Sequence, residues 1–443
     1  MPLAKVLSFI ENENYEWLSS EVITMAKKSL LDFLASTYAG YQSKAPSLVL
    51  KSAKSLGVEG PCTIIGNQKQ VSPLAATFMN ATLSSCMDID DGHREAVGHP
   101  GCMVIPPVLA AGELAKNCTG KELMTALVVG YEVGIRCGIV MNSNHEQLFY
   151  GSGGWALFGS AAGVAKVKQL IGESLKNSLT IGEVYGPTAQ CGKSIAAGAM
   201  TKESVGWGAT TAFMGVTLAK NGFTGPDHIL MDDHLYNSDI KEVFKTLGEE
   251  YEIKNIYFKQ FPACKWAHSP ITAALHIRDE HKLNLEEMEE IAIETFSKAT
   301  TLNHIQPSSS EAAQYSIPYT VATALYYGIV EPCHVSKAHL NNENIYHIAK
   351  KIRMIQVDDL EKEFPNKRPA RLKIKMKNGE VFTKEVKLVK GDAEYPLSWE
   401  DLIDKFHQCS KGFIDLERRE EIIQNVQNLE NLMDLKEFTH LLR

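Results

Sequence analysis

The sequence lacks the short motifs that identify several common kinds of site. Its nine cysteines include no Cys-x-x-Cys pair, which argues against an iron–sulfur cluster or a structural zinc site. It also contains no glycine-rich phosphate loop and no Gly-x-Ser-x-Gly nucleophile motif. Any chemistry must therefore come from other side chains.

Further absences restrict the partners. No run of apolar residues approaches the roughly 18 uncharged positions that a membrane helix requires. The formal net charge of −8 argues against sequence-independent affinity for nucleic acid or anionic membranes. The first residues have no long apolar core, so no signal or transit peptide is predicted, and the scattered cysteines suit reduced thiols. We expect a cytoplasmic protein without nucleic-acid or membrane partners.

The pattern over residues 20–245 predicts successive helices. Apolar residues recur at helical spacing after Ser20, a potential N-cap, and continue to Gly40. Four later segments mix apolar residues with glycines and alanines, which let helices approach closely; they are 121–141, 155–171, 176–188 and 202–221. We expect a compact helical domain.

The later part of the chain has the pattern of strands. The segments 252–259 and 290–296 alternate or carry β-branched residues. Between residues 371 and 389, apolar and basic residues alternate around Asn378-Gly379, which predicts a β-hairpin. The lysines and arginines between residues 367 and 390 are interpreted as a solvated outer face of the sheet, and a basic binding face is the alternative. Ser398 begins a further helix with a pattern like a capping box. The predicted fold class is mainly α: a large helical domain, then a smaller α/β domain, then more helix, with a ligand in the cleft between the domains.

The densest chemical cluster lies at residues 86–101, Cys-Met-Asp-Ile-Asp-Asp-Gly-His-Arg-Glu-Ala-Val-Gly-His-Pro-Gly. Asp88, Asp90 and Asp91 repel one another, so a fold that keeps them close must provide cations, hydrogen-bond donors or a metal ion. A solvated acidic turn is the alternative. The apolar segment after Gly101 predicts a buried helix, which favours a loop at the edge of the interior, where pockets form.

Three further clusters carry groups that could complement these acids. One runs from Lys259 to His268 and also contains Cys264 and Lys265, among apolar neighbours that shift pKa values toward catalytic use. An interdomain linker with exposed lysines is the alternative there. Lys202 stands at the predicted start of a helix, whose free amides could also hold a carboxylate. Two tyrosines open an apolar helix near residue 317, where packing at a core edge is the alternative role.

These acids, imidazoles and isolated lysines suit acid–base chemistry on a small anionic substrate. A magnesium-dependent isoprenoid synthase is a rival interpretation, because Asp90-Asp91-x-x-x-Glu95 is similar to an aspartate-rich diphosphate site. However, no second metal motif is evident, and a strand-rich domain does not suit that class. A carboxylate-binding protein without catalysis is the second rival.

Several ordered motifs resemble the MmgE/PrpD family of 2-methylcitrate dehydratases and cis-aconitate decarboxylases, which also includes an iminodisuccinate epimerase. The resemblance covers almost the whole chain. The matching motifs are Asp88-Ile-Asp-Asp with Gly98-His-Pro-Gly, Met200-Thr-Lys, Gly222-Phe-Thr-Gly-Pro, Lys259-x-x-Pro-x-Cys-x-x-x-His, Ser316-x-Pro-Tyr, Gly391-Asp-x-x-x-Pro-Leu-Ser and Lys405-Phe.

The resemblance implies a cofactor-free lyase without a metal, acting on a small di- or tricarboxylate by proton transfer. It implies a homodimer, each chain having an all-helical domain at 1–265 and 396–443 and an α/β lid domain at 266–395. It also implies that the site lies between the domains. The positions that match the proposed active site of the family are Asp88, His99, Lys202, Lys259 and Tyr319, with Cys264 and His268 in or near the same pocket.

Two positions depart from the family pattern. Ser152 stands where many relatives carry a histidine, and the stretch from Val205 lacks a histidine and an arginine that often follow the family lysine. We therefore assign Ser152 to the substrate-binding set with Cys264 and His268. Fewer cations suit a dicarboxylate better than a tricarboxylate, so dehydration, decarboxylation and epimerisation of a substituted succinate all stay open.

Overall fold

Helices account for most of the first half of the chain in the computed structural model, which describes residues 2–55, 58–143, 149–227 and 239–443. The first helix predicted from the sequence begins at Ser20, and Ser19 caps it by accepting a hydrogen bond from the amide of Val22 at 3.3 Å. The helices are α1 (Pro2–Asn12), α2 (Ser20–Gly40), α3 (Ala45–Ser55), α4 (Pro73–Ser85), α5 (Gly101–Leu114), α6 (Gly120–Met141), α7 (Ser152–Trp155), α8 (Leu157–Val167), α9 (Gly172–Tyr185), α10 (Gly192–Ala196), α11 (Val205–Lys220) and α12 (Ile240–Val243).

Small residues bring the central helices into close contact. A Cβ atom at Gly159 of α8 would lie 2.1 Å from the carbonyl oxygen of Gly130 of α6, so only glycine permits this crossing. The helix α6 is long and apolar enough to cross a membrane, but 94% of its most apolar stretch is buried inside the protein. This burial is typical of the core helix of a folded domain.

A four-stranded mixed sheet follows, in the order β6-β5-β7-β8. The strand β5 pairs in parallel with β6, and the other two pairs are antiparallel. The predicted hairpin is confirmed: β7 and β8 pair with Lys375 opposite Val381, and Gly379 takes the left-handed conformation of the turn. The strands are β1 (Cys62–Thr63), β2 (Gln70–Val71), β3 (Gly92–His93), β4 (Ile256–Tyr257), β5 (Met288–Thr295), β6 (Ile352–Gln356), β7 (Ala370–Met376) and β8 (Val381–Val386).

Helices surround this sheet, and its basic residues pair with acids on its outer face. Lys373 contacts Glu294 on β5, and Lys375 lies 3.0 Å from Glu289. The helix α13 packs against β7 and β8. The helices of this part are α13 (His268–His281), α14 (Ser297–Thr300), α15 (Ser310–Gln314), α16 (Ile317–Tyr327), α17 (Glu343–Ala349) and α18 (Asp358–Glu361).

The strand expected at 252–259 is mostly a short 3₁₀ helix, Glu252–Asn255, and only β4 is extended. The physical reason is a buried side chain of α6. The carboxylate of Glu132 accepts hydrogen bonds from the amides of Glu252 and Ile253, both at 2.9 Å, so these amides are satisfied without a strand partner. The two residues of β4 then pair with β3.

The last helices return to the helical part of the molecule. They are α19 (Trp399–Ser410), α20 (Leu416–Gln427) and α21 (Leu435–Leu441). The predicted capping box is confirmed, because Ser398 and Asp401 exchange backbone and side-chain hydrogen bonds. The helix α19 packs on α2, where Lys405 donates to Asp32 at 2.5 Å. The domain boundaries at 265/266 and 395/396 stay a prediction.

Candidate active site

A cavity of about 450 Å³ lies where the 86–101 loop, the segment after β4 and the sheet-containing part of the chain meet. Asp88, His99, Lys259 and Cys264 from the sequence-derived set all line it. Its wall also includes charged and polar residues outside the set of predicted site residues; the ones discussed below are Glu203, Tyr257, Lys265, Tyr315 and Arg368.

The short sheet formed by β3 and β4 holds two distant segments together. It pairs Gly92 with Tyr257, so the acidic loop lies beside the chain that leads into Lys259. A Cβ atom at Gly92 would lie 2.3 Å from the hydroxyl oxygen of Tyr257, and therefore this contact requires glycine. Residues 165 positions apart in sequence are in this way brought to one wall of the cavity.

Asp88 is the centre of the site. It follows the C-terminal end of α4, and its backbone takes a left-handed conformation with φ of 54°. Its two carboxylate oxygens lie 3.4 Å from Nζ of Lys202 and 3.1 Å from Nζ of Lys259. Tyr315 donates a hydrogen bond to the first of these oxygens at 3.5 Å. One carboxylate is thus shared by two buried ammonium groups and a phenol.

The two lysines are also held by uncharged acceptors. Lys202 donates to the carbonyl oxygen of Ser85 at 2.8 Å and to the side-chain oxygen of Gln314 at 3.0 Å. Lys259 donates to the carbonyl oxygen of Asp88 itself at 3.0 Å. These contacts fix both ammonium groups in place.

The electrostatics favour the charged form of this cluster. Burial by itself raises the pKa of Asp88, but the attraction of Lys202 and Lys259 outweighs it and holds that pKa well below its usual range. Burial likewise lowers the pKa of Lys259, but the attraction of Asp88 outweighs it and raises that pKa above its usual value. Asp88 is therefore a carboxylate and Lys259 an ammonium ion at neutral pH.

His99 presents one ring nitrogen to the cavity. Its Nδ1 lies 2.6 Å from the carbonyl oxygen of Asp91, which can only accept, so Nδ1 carries a proton. Its Nε2 lies 3.7 Å from Asp88 and 4.0 Å from Glu203. Nε2 is consequently the ring nitrogen that faces the cavity.

The other two aspartates lie behind this wall. Asp91 accepts hydrogen bonds from the amide of Gly101 at 2.9 Å and from the hydroxyl of Tyr131 at 2.7 Å, so it ties the loop to α5 and α6. Burial and the neighbouring Asp32 raise the pKa of Asp91 to about 7. The side chain of Asp90 is buried and lies 3.5 Å from the ring of His99.

Oxygens of Asp88 and Asp90 and a nitrogen of His99 lie within 4.8 Å of one another, a spacing that a divalent cation could bridge. Lys202 and Lys259 already balance the charge of Asp88, and a third cation would be repelled by both. The two lysines thus compensate the carboxylate of Asp88, and a site without a metal stays a prediction.

Ser152 does not reach the cavity wall; it positions a residue that does. Its amide and hydroxyl donate to one carboxylate oxygen of Glu203 at 2.9 and 2.6 Å, and its hydroxyl accepts from the amide of His99 at 2.8 Å. Lys202 and Ser204, on either side of Glu203, both have positive φ angles. This strained segment directs Lys202 to Asp88 and Glu203 to the cavity, and the helix α11 begins only at Val205.

Cys264 and His268 have different environments. The thiol of Cys264 lines the cavity, and burial together with Asp88 raises its pKa to about 11, so it is protonated at neutral pH. The ring of His268 is buried outside the lining and donates from Nε2 to the carbonyl oxygen of Ala263 at 3.2 Å. Burial and the nearby lysines hold the pKa of His268 well below its usual value, so its ring is neutral.

Tyr319 is not brought to the cavity. It is fully buried in α16, and its hydroxyl donates to the carbonyl oxygen of His334 at 2.8 Å. Tyr315, which the sequence grouped with it, is the tyrosine that contacts Asp88. Tyr315 follows the last residue of α15, and Ser316 between it and α16 has an extended backbone, so the two tyrosines do not share one helix face.

Glu203 and Arg368 were not predicted from the sequence, and of the two neighbouring tyrosines Tyr319 was assigned to the site instead of Tyr315. Glu203 and Tyr315 adjoin residues that the motifs identified, and this adjacency was the available signal. No such signal identified Arg368, because it stands in the basic stretch at 367–390 that was interpreted as a solvated face of the sheet. The fold and site together define a mainly helical protein with a small mixed sheet and an acid–base cavity where the two meet.

Comparison with protein families agrees with this architecture. The MmgE/PrpD N-terminal domain matches residues 4–238, and the MmgE/PrpD C-terminal domain matches residues 261–431. The chain belongs to the MmgE/PrpD family, as the motifs predicted.

Its curated relatives are similar over nearly their full length. A cis-aconitate decarboxylase of Aspergillus terreus is 24% identical, covering 96% of this chain and 92% of that protein. A cis-aconitate decarboxylase-like protein of Aspergillus oryzae is 24% identical, covering 96% and 94%. The human cis-aconitate decarboxylase is 24% identical, covering 96% and 91%. These similarities support the lyase function of the family for this chain.

Proposed function

We propose that this protein is a lyase that removes a carboxyl group, as CO₂, from a small unsaturated di- or tricarboxylate similar to cis-aconitate, without a bound cofactor. The observation that carries the proposal is the cluster at the cavity wall. Asp88 is balanced there by two buried lysines, and the free nitrogen of His99 lies 3.7 Å from it. The names of the relatives favour decarboxylation over dehydration or epimerisation.

The chemistry of such a substrate needs a cationic pocket and one proton donor. When a carboxylate on the allylic carbon, the carbon beside a carbon–carbon double bond, leaves as CO₂, the electron pair of the broken bond forms a new double bond between that carbon and its neighbour. The original double bond then takes a proton at its far carbon. Cations that hold the remaining carboxylates stabilise the negative charge that develops during this shift.

His99 is the residue we assign to proton delivery. The carbonyl of Asp91 fixes its Nδ1 proton, and its Nε2 faces the cavity 3.7 Å from Asp88 and 4.0 Å from Glu203. Lys259 lines the same wall and can attract a substrate carboxylate. A positioned acid of this kind contributes about 100-fold to 10,000-fold in rate.

Although Ser152 stands where many relatives carry a histidine, the site still contains a second acid–base group. The hydroxyl and amide of Ser152 hold Glu203, whose carboxylate lines the cavity 4.0 Å from His99. After His99 has delivered a proton to the substrate, Glu203 can return a proton to its ring. This arrangement favours an active enzyme over a carboxylate-binding protein without catalysis.

The test offers the purified full chain, without added metal, a panel of acids in D₂O: cis-aconitate, citrate, 2-methylcitrate and substituted succinates. Products are followed by NMR. We expect cis-aconitate or a close analogue to be consumed, with one CO₂ released and one deuteron taken up for each product. The variant His99→Gln should lower kcat/KM by about 100-fold or more, whereas His276→Gln, an exposed position on α13, should leave it unchanged.

Two results would contradict the proposal. Loss of water or exchange at a single stereocentre without CO₂ release would assign the site to dehydration or epimerisation. A ligand that raises the melting temperature without any turnover or deuterium uptake would favour a binding protein.

A further inference from the structure

The cations of the cavity wall differ in whether an acid compensates them. Lys259 lies 3.1 Å from Asp88, and Lys265 lies 2.8 Å from Asp392. Arg368 lines the same cavity but forms no ion pair with any residue that the structure describes. The Nε atom of Arg368 is buried and has no hydrogen-bond partner among those residues.

The surroundings of Arg368 do not neutralise it. Its guanidinium carbon lies 5.9 Å from the centroid of the Tyr257 ring, and Nζ of Lys265 lies 4.8 Å from the same centroid. Two cations therefore flank one aromatic ring. The carboxylate near them, Asp392, is already occupied by Lys265 and by the amide of Val389, which donates to it at 3.0 Å.

An arginine keeps its charge even where burial lowers its pKa, as it does here. Burying a charge without a partner is costly, and a planar guanidinium is suited to binding a carboxylate through two parallel hydrogen bonds. The wall near His99 has the reverse character, because Asp88 and Glu203 line it and Asp90 lies behind it, so three carboxylates outnumber Lys202 and Lys259. The cavity thus has one cationic end and one acid–base end.

We propose that Arg368 is the carboxylate anchor of this cavity. Its guanidinium binds a carboxylate of the substrate that does not react, with Lys265 beside it, so that the reacting carbons face His99. The ligand class is a small acid with at least two carboxylates, one of which is remote from the reacting bond. The inference rests on the proposed function only in taking the ligand to be such an acid.

The backbone of Arg368 is fixed within the sheet-containing part of the fold. Arg368 lies two residues before β7, and its carbonyl oxygen accepts a hydrogen bond from the hydroxyl of Ser269 on α13 at 2.6 Å. A side-chain substitution leaves this backbone contact in place. The anchor therefore comes from the sheet-containing part, whereas Asp88 and His99 come from the helical part.

The first measurement is binding without turnover. Tricarballylate, a saturated tricarboxylate that cannot undergo the allylic shift, is titrated calorimetrically into the full-length protein. We expect Arg368→Gln to raise its Kd at least tenfold and Arg368→Lys to raise it less, because lysine keeps the charge but not the bidentate geometry. Arg353→Gln, a matched change at an exposed arginine of β6, should leave the Kd unchanged.

The second measurement separates binding from catalysis. For any acid that the protein converts, Arg368→Gln should raise KM at least tenfold while kcat changes less than threefold. Circular dichroism and the melting temperature without ligand report whether each variant is folded. If Arg368→Gln does not fold, Arg368→Lys replaces it in both measurements, with an expected rise in Kd and KM of at least threefold.

The outcomes distinguish this inference from the proposed function. If tricarballylate binding depends on Arg368 but no acid is converted, the anchor stands and the lyase proposal fails. If an acid is decarboxylated with the same KM in Arg368→Gln and Arg353→Gln, the lyase proposal stands and the anchor fails. The anchor also fails if the wild-type protein does not bind tricarballylate, or if the substitution lowers kcat alone.

Discussion

Replacing Asp88 by asparagine would remove the negative charge that two buried lysines share. The carboxylate oxygens of Asp88 lie 3.1 Å from Lys259 and 3.4 Å from Lys202, and all three side chains are buried. The left-handed backbone of Asp88 adds no complication, because asparagine tolerates that conformation about as well as aspartate does. The substitution therefore tests charge with almost no change in shape.

The expected cost follows from leaving buried charges uncompensated. Removing one partner of a buried ion pair typically costs about 3 to 5 kcal/mol in the free energy of unfolding. With an unfolding entropy of about 2.1 cal/mol/K per residue, a chain of this length loses about 3 to 5 °C in melting temperature. Glu394→Gln is the matched control: it breaks the solvent-exposed pair with Arg94, which lies at 2.6 Å, and should cost about 1 kcal/mol or less.

The same reasoning predicts how the stability difference between the variant and wild type changes with pH. In the wild-type protein the pKa of Lys259 is raised by Asp88, so its stabilising contribution is present at neutral pH and is lost only as pH rises through that raised value. Without Asp88, burial alone lowers the pKa of Lys259 below its unfolded value, and the unfolded state then binds more protons. Stability of the variant should consequently rise with pH, and its deficit relative to wild type should narrow between pH 7 and about pH 10.

The assay is thermal unfolding of wild type, the asparagine variant of Asp88 and the control Glu394→Gln. Circular dichroism follows the unfolding at several pH values in this range. A variant as stable as wild type at pH 7 would mean that the lysines do not depend on Asp88. A deficit that stays constant with pH would mean that the loss comes from packing rather than from uncompensated charge.

Two further predictions concern residues near the cavity. Tyr319→Phe should lower the free energy of unfolding by about 0.5 to 1.5 kcal/mol and leave kcat/KM unchanged, since its hydroxyl bonds only backbone carbonyls. Tyr315→Phe should instead lower kcat/KM, because its hydroxyl contacts Asp88. Equal effects of the two substitutions on kcat/KM would contradict these contacts. Burial, partly opposed by Asp392, lowers the pKa of Lys265 to about 8, so the Kd for tricarballylate should increase as pH rises through 8, and Lys265→Met should abolish this dependence in the same calorimetric titration.

Local patterns predicted much of this fold. The Asn378-Gly379 turn and the alternation around it specified the hairpin of β7 and β8, and the capping box at Ser398 specified the start of α19. These features are encoded within a few residues, so a single sequence is enough to recognise them. The order of a helical part, a sheet and a returning helix was correct for the same reason.

The site was only partly predictable, because its assembly depends on contacts between distant residues. Asp88, His99 and Lys259 stood out by their composition and motifs, and the structure brings them together. Glu203 reaches the cavity because Lys202 and Ser204 adopt left-handed conformations, which no periodic pattern reveals. Tyr315 rather than Tyr319 contacts Asp88 because Tyr315 precedes α16, the helix to which the sequence analysis assigned both tyrosines. The homodimer and the cytoplasmic location stay predictions.

The distribution of charge explains why the site needs every part of the chain. Lys259 would be too costly to bury without Asp88, and Asp88 too costly without the lysines, so neither segment can take its final position alone. The 86–101 loop, which carries Asp88, also contacts the C-terminal helices, because Lys405 of α19 donates to the carbonyl oxygen of Ile89 at 2.6 Å. The C-terminal helices thus help to hold the acid–base end of the cavity in place. Arg368 completes the opposite end from the sheet, so a substrate held at both ends would bind across the junction and stabilise it.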